Sequence, residues 1–471
     1  LWLAPKIDLA DLDDDLTTWL SKDDPIYQTY ERFRREFGEQ QPILIAVKSG
    51  HLFTPDVLRF IRDVTDDLQR VDTVERVDSL ATANVVETLP SDPVTGEPGG
   101  INVRALLDRR HDDAGGAERV RRRVLDDPLF RGDLVSDDGR VTAIVVTVDD
   151  RTFNQVRSRV LDRIHRVVEA RRPHDVSVYY NGDPEITEAL AQISVGDAKV
   201  MTPLIILLTV IGIYAMFRSW TLTVLLVAAS LVSMVWCVGL FFALGFRFNI
   251  VASMLPPLVL ILAVTDDVHI VQQFQTELRR HGDRRRAFID TIEHLFMPLL
   301  GASGTTALGL LSLATSSVVA ARTFGMAAAL GVMVDLFLSL CILPTLLLWV
   351  GTGGAAPEHD ARTMGFMERL SRFSIRHAKP VLTITVLVMA VAGVGVVRLQ
   401  VDTNQQNFFA ADHPLHESAR LLDEELSGVY SFNILLEGEA DSMKAPETMQ
   451  RIERLRGELE RLRCRQLGHG L

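Results

Sequence analysis

Apolar and polar positions are distributed unevenly along this chain, and the change comes near residue 200. Beyond that point apolar runs recur, each of about the twenty residues that a helix needs to cross a hydrocarbon layer of about 30 Å. The runs cover residues 200–217, 221–245, 250–272, 296–317, 323–350 and 380–398. Since a soluble protein seldom buries six such runs joined by short connections, the pattern predicts six membrane-spanning helices.

The part before residue 200 has shorter apolar segments, with the spacing of strands and amphipathic helices. Strands are predicted at 43–48, 75–79, 141–148 and 176–181, and helices at 55–71 and 152–172. Their order is βαββαβ, that of the ferredoxin-like or split βαβ arrangement. Residues 81–140 then form an insertion between the second and third strands, and its basic run at 119–123 is predicted to be a solvated helix face.

Composition agrees with this division. The 471 residues are 47% hydrophobic and 23% charged, with a formal net charge of −12, yet the mean hydropathy is +0.16. Residues 1–195 hold about 37 acidic against about 26 basic side chains, so nearly all of the net charge lies there. An acidic surface argues against a nucleic-acid partner, because a protein surface that binds nucleic acid needs positive charge.

The three cysteines are Cys237, Cys341 and Cys464. Their spacing is not that of a disulfide framework or a metal site, so we expect neither a metal nor a cofactor.

The cations in the short connections predict the orientation of the helices. The connections at 273–295 and 351–379 are rich in arginine and should be cytoplasmic, because short cytoplasmic loops retain Lys and Arg. Their cations are Arg279, Arg280, Arg284, Arg285, Arg286, Arg362, Arg369, Arg372, Arg376 and Lys379. The opposite connections, around Arg247 and Arg322, carry one cation each. Residues 1–195 and the part after residue 399 are therefore expected outside. In a bacterium this is a multi-pass protein of the inner membrane with large periplasmic domains.

An internal repeat links two parts of the chain that lie almost 400 residues apart. The matched pairs include Asp23 with Asp412, Pro25 with Pro414, Glu36 with Glu425 and Pro55 with Pro446. Chance seldom gives a collinear set that includes two prolines. Residues 399–471 are therefore predicted to begin a second copy of the outer domain, and the chain is expected to be truncated at both ends.

The third apolar run carries the first candidate chemistry. It reads IVASMLPPLVLILAVTDDVHIVQQF, in which Pro256 and Pro257 are predicted to kink the helix. Asp266 and Asp267 follow, with no cation beside them. Each carboxylate at the centre of a membrane helix costs roughly 2.5 to 3.5 kcal/mol, so at least one is expected to be protonated and to face protein or water. The pair is therefore a candidate proton carrier.

Other interpretations of this run remain open. The two acids could lie near the cytoplasmic interface and reach water. Asp266 and His269 are three residues apart, hence on one helix face, which suits a hydrogen-bonded relay or two metal ligands. A third ligand at a suitable spacing is missing, so a metal is the weaker idea. Successive helical residues point 100° apart, so one carboxylate should face the bundle interior and the other its edge.

The fourth and fifth runs carry further polar groups. The fourth contains GASGTTALGLLSLATSS, whose small residues Gly301, Gly304 and Gly309 are expected to permit close helix packing. Its hydroxyls, with that of Thr265 in the third run, could bond across helices or solvate the carboxylates; those of the fourth run belong to Ser303, Thr305 and Thr306. Asp335, midway along the fifth run, is a third acid within the membrane. A relay or gating role and a purely structural hydrogen bond are both open for it.

Taken together, these motifs resemble the resistance-nodulation-division (RND) superfamily. The similarity is greatest to its MMPL-type and hydrophobe exporters, which are related to sterol-sensing-domain, Patched-like proteins. The resemblance rests on KIDLADLDDDLTTWLSKDDPIYQTYERFRREFG, AVTDDVHIVQQF, GASGTTALGLLSLATSS and FGMAAALGVMVDLFLSLCILPTLLLWV. It implies two repeats of six helices, of which this chain would lack the first and the last five. The glycine common before the family's acid is absent in Ala263, Val264 and Thr265, which leaves the subfamily open.

The resemblance implies a domain organisation for the whole chain. A porter-like periplasmic domain at 1–195 precedes a five-helix, sterol-sensing-domain-like bundle at 196–350 and a cytoplasmic loop at 351–379. A helix at 380–398 then starts the second repeat, and the truncated second periplasmic domain occupies 399–471.

The resemblance also implies a function. Asp266 would be the main proton carrier, with Asp267 and His269 beside it, in a proton-driven exporter of lipids or other hydrophobic or amphiphilic molecules. Such a protein is a secondary transporter in contact with membrane lipids, not an enzyme, and a homo-oligomer is left open. The alternatives are a sterol-sensing or lipid-sensing membrane protein and a protein-translocation accessory subunit of the same superfamily. An intramembrane aspartyl protease is disfavoured, since the run GVMVD at 331–335 lacks the Gly-x-Gly-Asp turn.

Overall fold

The computed structural model describes the greater part of the chain. The described residues are 19, 23–37, 40–88, 101–107, 113–127, 129–246, 249–350, 361–399, 408–410, 412–426, 428, 434–438 and 442–467. Two compact units divide the chain, one at Leu1–Val429 and a small one at Tyr430–Leu471. Within the described residues the small unit holds a 3₁₀ turn, Ser442–Lys444, and one helix, Pro446–Leu467. Arg247 and residues 351–360 of the second arginine-rich connection lie outside the described residues.

The first unit begins with what we call the sheet domain, which runs from β1 to β6. A separate helix, α1 (Pro25–Phe37), precedes it. The strands are β1 (Gln40–Ser49), β2 (Val74–Asp78), β3 (Asn84–Thr88), β4 (Ile101–Ala105), β5 (Val141–Asp149) and β6 (Val176–Asn181). The helices are α2 (Pro55–Leu68), α3 (Ala114–Asp126) and α4 (Asp150–Arg171). All the predicted strands and both predicted helices are present, with ends shifted by a few residues.

Four of these strands form one antiparallel sheet in the order β2-β5-β1-β6. Ile45 of β1 lies opposite Ile144 of β5 and Tyr180 of β6. Helices α2 and α4 cover one face, where Ile43, Ile45 and Val47 are fully buried. The remaining strands, β3 and β4, pair only with each other. They lie in the predicted insertion, as does α3, which buries Val120 and Val124 and leaves the arginines of the 119–123 run in solvent.

The opposite face of the sheet is covered by a helix from far along the chain. This helix, α12 (Pro414–Glu425), packs Leu421 and Leu422 against Ala46 and Ala143. Asn181, at the end of β6, is fully buried beneath it and donates to the Ser418 Oγ at 2.8 Å. Residues near both ends of the first unit therefore share one hydrophobic core.

Among the described residues, six helices are long and apolar enough to cross a membrane, which confirms the predicted number of candidate spans. They are α5 (Asp183–Phe217), α6 (Trp220–Ala243), α7 (Leu255–His281), α8 (Arg284–Leu311), α9 (Val319–Val350) and α11 (Ala378–Val397). Helix α9 packs against α6, α7 and α8, and α6 also packs against α5 and α7. No side chain of α11 is buried. Another helix, α10 (Ala361–Arg376), precedes α11.

Two helix boundaries differ from the prediction for local reasons. The connection predicted at 273–295 is almost entirely helical, and only Gly282 and Asp283 separate α7 from α8. Gly282 adopts a φ of 68°, which ends α7, and the Asp283 carboxylate accepts from the Arg285 N–H and caps α8. Helix α5 starts 17 residues before the predicted run, at the end of β6. The sheet domain therefore continues directly into the first membrane helix.

Candidate functional site

Helix α7 carries the two adjacent acids of the candidate site. A 3₁₀ turn, Ala252–Met254, precedes it, and the Asn249 side chain accepts from the Ala252 N–H at 2.8 Å. The predicted kink at Pro256 and Pro257 is wrong, because both prolines lie in the first turn of α7. Proline is tolerated there, since its missing N–H would have no helical partner at that position.

Asp267 lies at the meeting point of three helices. Its side chain is 0% exposed and faces α6 and α9. The Ser339 Oγ of α9 donates to Oδ1 at 2.6 Å, and the Ser230 Oγ of α6 approaches Oδ2 at 3.3 Å. The Ser230 hydroxyl also lies 2.9 Å from its own helix carbonyl at Leu226, and its single proton serves one acceptor at a time. Neutral hydroxyls are therefore the hydrogen-bond partners that the described residues give this carboxyl.

Asp266 points in a different direction from its neighbour, as the helical turn requires. It is half-buried and accepts a hydrogen bond of 2.8 Å from the Ser303 Oγ of α8. His269 interacts with it electrostatically, while the His269 side chain itself is exposed. One carboxyl thus faces the interior of the bundle and the other its edge.

Asp335 of α9 brings a third carboxyl into the same region. It is 2% exposed and is contacted by the Ser233 hydroxyl of α6. Its Oδ1 is buried without a hydrogen-bond partner among the described residues. Its charge acts on Asp267, and the charge of Asp266 acts on it. We call Asp266, Asp267 and Asp335 the carboxylate cluster.

The carboxylate cluster has no compensating Lys or Arg charge among the described residues. Within the described part of the chain, no Lys or Arg forms an ion pair with any of its three members. Buried like charges repel strongly where the dielectric constant is low, so three ionised carboxylates together are unfavourable. The three acids are therefore held by hydroxyl groups and not by opposite charges of Lys or Arg.

The structure does not bring every predicted polar group to the cluster. The hydroxyls of Thr265, Thr305 and Thr306 donate to carbonyls of their own helices, at Ile261 and Ala302. Ser303 alone of the predicted hydroxyls contacts a carboxylate. The sequence interpretation missed Ser230, Ser233 and Ser339. The first two lie three residues apart in an otherwise apolar run, and Ser339 lies four residues after Asp335, so their helical spacing was the available signal.

Close helix contact occurs at a different glycine from those expected. A Cβ added at Gly301, Gly304 or Gly309 would meet no atom within 4 Å, so the expectation of close packing there is wrong. A Cβ at Gly331 of α9 would collide with the Cys237 Sγ of α6. This close approach holds α6 and α9 together one turn before Asp335.

A narrow cleft between α6 and α9 leads to Asp267. Its volume is about 100 Å³. Apart from Asp267, Ser233 and Ser339, its walls are apolar, formed by Ala228, Ala229, Val232, Leu338, Ile342, Leu343 and Leu346. Asp267, the most buried carboxyl of the cluster, therefore forms part of the wall of this cleft.

A second group of polar side chains ties the end of α7 to α8. Glu277, His281 and Asp290 present ligand atoms within 4.8 Å of one another and could hold a metal ion. The His281 Nε2 lies 3.2 Å from Asp290 and 3.7 Å from Glu277. Glu277 also accepts from Arg280 at 3.1 Å, so a cation would compete with an existing ion pair.

The junction between the sheet domain and α5 carries a third polar group. The His165 Nε2 of α4 lies 2.8 Å from the Glu185 Oε1 of α5, and its ring lies 4.1 Å from that of Tyr180. Burial alone lowers the pKa of His165, but the hydrogen bond and charge of Glu185 outweigh it, so the pKa is raised. Burial and the charges of Glu169 and Glu185 raise the pKa of Tyr180. Proton binding at His165 therefore strengthens the contact between α4 and α5.

Comparisons with known proteins cover most of this architecture. The model of the MMPL family matches residues 18–381. "Putative membrane protein MJ1562" of Methanocaldococcus jannaschii is 22% identical over 347 residues, which cover 70% of this chain and 82% of that protein. "Putative membrane protein ActII-3" of Streptomyces coelicolor is 25% identical over 334 residues, or 68% of this chain. The match spans only 46% of that second protein.

Proposed function

Because the chain belongs to the MMPL family, a family of membrane transporters, we propose that it is a proton-driven exporter of the RND type. Its substrates are lipids or other hydrophobic or amphiphilic molecules. The observation that carries the proposal is the carboxylate cluster, in which Asp267 is 0% exposed and hydrogen-bonded to hydroxyls of two neighbouring helices. Buried, unpaired acids within membrane helices are typical of proton pathways.

In the proposed cycle a proton enters at Asp266, the half-buried member of the cluster, and passes to Asp267 or Asp335. His269, beside Asp266, assists this entry. A protonated Asp267 becomes a donor as well as an acceptor, so its bonds to Ser230 and Ser339 rearrange. Since those serines belong to α6 and α9, the change alters how these helices pack on α7. Release of the proton restores the first arrangement.

The geometry also supports a route from the membrane to the sheet domain. Helix α5 starts at Asp183, two residues after β6 ends at Asn181, and continues without interruption to Phe217. At its start, Glu185 and Glu188 contact His165 and Arg157 of α4. Movement of α5 within the bundle is thereby passed to the sheet domain, where the exported molecule is held.

The proposal includes the topology inferred from the sequence. The porter-like domain predicted at 1–195, which contains the sheet domain, lies on the periplasmic side of a bacterial inner membrane, and the arginine-rich connections lie in the cytoplasm. The strand order β2-β5-β1-β6 supports the ferredoxin-like arrangement. Residues 196–350 form the bundle, 351–379 a cytoplasmic loop, and 380–398 the first helix of a second repeat that continues into 399–471. The repeat rests on two matched sets of residues, one between α1 and α12 and one between α2 and the helix Pro446–Leu467.

Transport into vesicles tests the proposal. The full chain and Asp267→Asn would be reconstituted into proteoliposomes that carry a fluorescent phospholipid and an internal pH dye. The proposal expects gradient-dependent lipid movement with proton flux in the unmodified chain, and loss of both in the variant. Asp72→Asn, an exposed position of the sheet domain, is the matched control. Undiminished coupled transport by Asp267→Asn would overturn the proposal.

A lipid-sensing role, which the resemblance to sterol-sensing-domain proteins leaves open, is the second candidate. A sensor would bind lipid without moving it. In the same vesicles a sensor would therefore give lipid binding that does not depend on the pH gradient, and no proton flux.

A further inference from the structure

Helix α10 stands apart from the rest of the membrane-associated part of the chain. The side chains described along it, from Glu368 to Arg376, are all exposed, although several are apolar. Leu370 is 49% and Phe373 is 54% exposed. Exposed aromatic and aliphatic side chains on one helix are unfavourable in water, so this helix needs a partner surface.

The sequence of α10 contains two neighbouring stripes, and Ile375 lies outside both. Phe366, Leu370 and Phe373 are spaced four and three residues apart and share one face. The arginines share an adjacent face, at positions 362, 369, 372 and 376. Glu368 is the only acidic residue of the helix, and it pairs with Arg372. The helix therefore combines an apolar stripe with a strongly basic one.

The position of α10 indicates which surface it meets. A single residue, His377, separates it from α11, whose twenty residues are apolar enough to cross a membrane. A helix with four arginines does not continue into hydrocarbon, so α10 must lie at the membrane boundary. Apolar and basic faces side by side are typical of helices that lie in the interface and bind anionic lipids.

We propose that α10 is a docking surface for anionic phospholipids of the membrane leaflet on its side. The apolar stripe enters the outer part of the acyl region, and the arginines bind the headgroup phosphates. Guanidinium groups suit this contact, because they pair with phosphate in a bidentate manner. The charge of the lipid surface thereby fixes the position of α10, and with it the start of α11. The inference goes beyond export and does not depend on it.

Depth measurements in nanodiscs test the location. The full chain, with Cys237, Cys341 and Cys464 replaced by alanine, would carry a fluorescent label at Leu370→Cys or at Ser371→Cys. Nanodiscs would contain phosphatidylcholine alone or mixed with phosphatidylglycerol, each with a lipid-borne quencher. We expect the label at 370 to be quenched several-fold more than that at 371, and the difference to grow with phosphatidylglycerol. Equal quenching at both positions would overturn the proposal. A label at 370 that stays in water would overturn it as well, and would favour an acidic protein as the partner of α10.

Charge removal tests the choice of lipid. The triple variant Arg369→Gln, Arg372→Gln, Arg376→Gln should lose the dependence of quenching on phosphatidylglycerol. The matched control changes Arg121, Arg122 and Arg123 of α3 to Gln, which removes the same charge from the sheet domain and should leave the dependence intact. An equal loss in both triples would contradict a specific role of α10. No gradient or transport is involved, so this result and that of the export assay are independent.

Discussion

The Ser339 hydroxyl of α9 donates a 2.6 Å hydrogen bond to Asp267 of α7, and both side chains are buried. This bond joins the helix of the adjacent acids to the helix of the third acid, Asp335. It also holds the Asp267 carboxyl at the inner end of the cleft between α6 and α9. A change at either residue therefore acts on the geometry of the whole carboxylate cluster.

Removing this hydroxyl should impair both stability and transport. In Ser339→Ala the Asp267 Oδ1 loses its donor while it stays buried, which should lower the free energy of unfolding by about 1 to 3 kcal/mol. Proton flux in proteoliposomes should fall with it. Ser312→Ala is the control, because that exposed hydroxyl bonds only to the Gly309 carbonyl of its own helix. Equal thermal stability of the two variants in detergent would count against the proposed importance of the bond.

A methyl group at Gly331 should separate α9 from α6. The added Cβ of Gly331→Ala would collide with the Cys237 Sγ, and overpacking of this kind costs about 1 to 3 kcal/mol. Gly301→Ala, where the added carbon meets open space, should leave the thermal unfolding temperature nearly unchanged.

A double variant identifies the cause of the Gly331 effect. Cys237→Ala removes the sulfur atom and should restore part of the stability that Gly331→Ala loses. If the stability loss of the double variant equals the sum of the losses of the two single variants, the collision is not the reason for the destabilisation.

The contact between α4 and α5 should depend on pH through His165. The groups that face it are Glu185 of α5, Tyr180 of β6, and Asp162 and Glu169 of its own helix. Folding raises the pKa of His165, so its bound proton stabilises the folded protein. This stabilisation is fully present below the pKa of the unfolded state, about 6.5, and is lost as the pH rises through the pKa of the folded state. The rate of amide hydrogen exchange at the start of α5 should then rise with pH by more than the intrinsic pH dependence of exchange.

His165→Gln is the test of that assignment. Glutamine keeps a hydrogen bond to Glu185 within reach but does not titrate, so the additional pH dependence should disappear. His174→Gln, at an exposed position of the sheet domain, should retain it. A pH dependence that survives in His165→Gln would assign it to another group.

Asn181 should hold α12 on the sheet. Its side chain donates to the Ser418 Oγ at 2.8 Å and accepts from the Gly182 N–H at 2.7 Å, and it is fully buried. Asn181→Ala leaves the Gly182 N–H without its acceptor and removes the hydrogen bond to Ser418, which should destabilise the contact by about 1 to 3 kcal/mol. Protease cleavage within 414–425 should become faster, whereas Ser177→Ala, on the exposed side of β6, should not change it.

The sequence predicted those elements whose pattern of apolar and polar residues reflects contact with lipid or with water. An apolar run of twenty residues has few alternatives to a membrane helix, so all six spans were found. Their ends depend on single capping residues such as Gly282 and Asp283, which periodicity does not reveal. The strands β3 and β4 were missed, because the many Pro and Gly residues around them suggested only an insertion, whereas α3 contains the solvated helix face predicted at 119–123. The packing of α12 on the sheet is a tertiary contact between distant segments, which local patterns do not contain.

The residues of the candidate site could likewise be predicted only in part. Asp266, Asp267 and Asp335 could be identified because a carboxyl within an apolar run is costly and therefore conspicuous. Serine carries no such cost, since its hydroxyl can bond to a carbonyl of its own helix, as Ser230 does to Leu226. Ser230, Ser233 and Ser339 therefore became visible as partners only when the helices were placed side by side.

The cover that α12 provides for the sheet has a consequence for biosynthesis. Leu44 and Ala46 leave the ribosome early, whereas Leu421 and Leu422, which bury them, follow only after all six apolar helices have been made. One face of the sheet therefore stays bare while the membrane helices are inserted. During that interval the nascent chain is open to aggregation and to holdase chaperones, and the sheet reaches its final packing only after α12 has been synthesised.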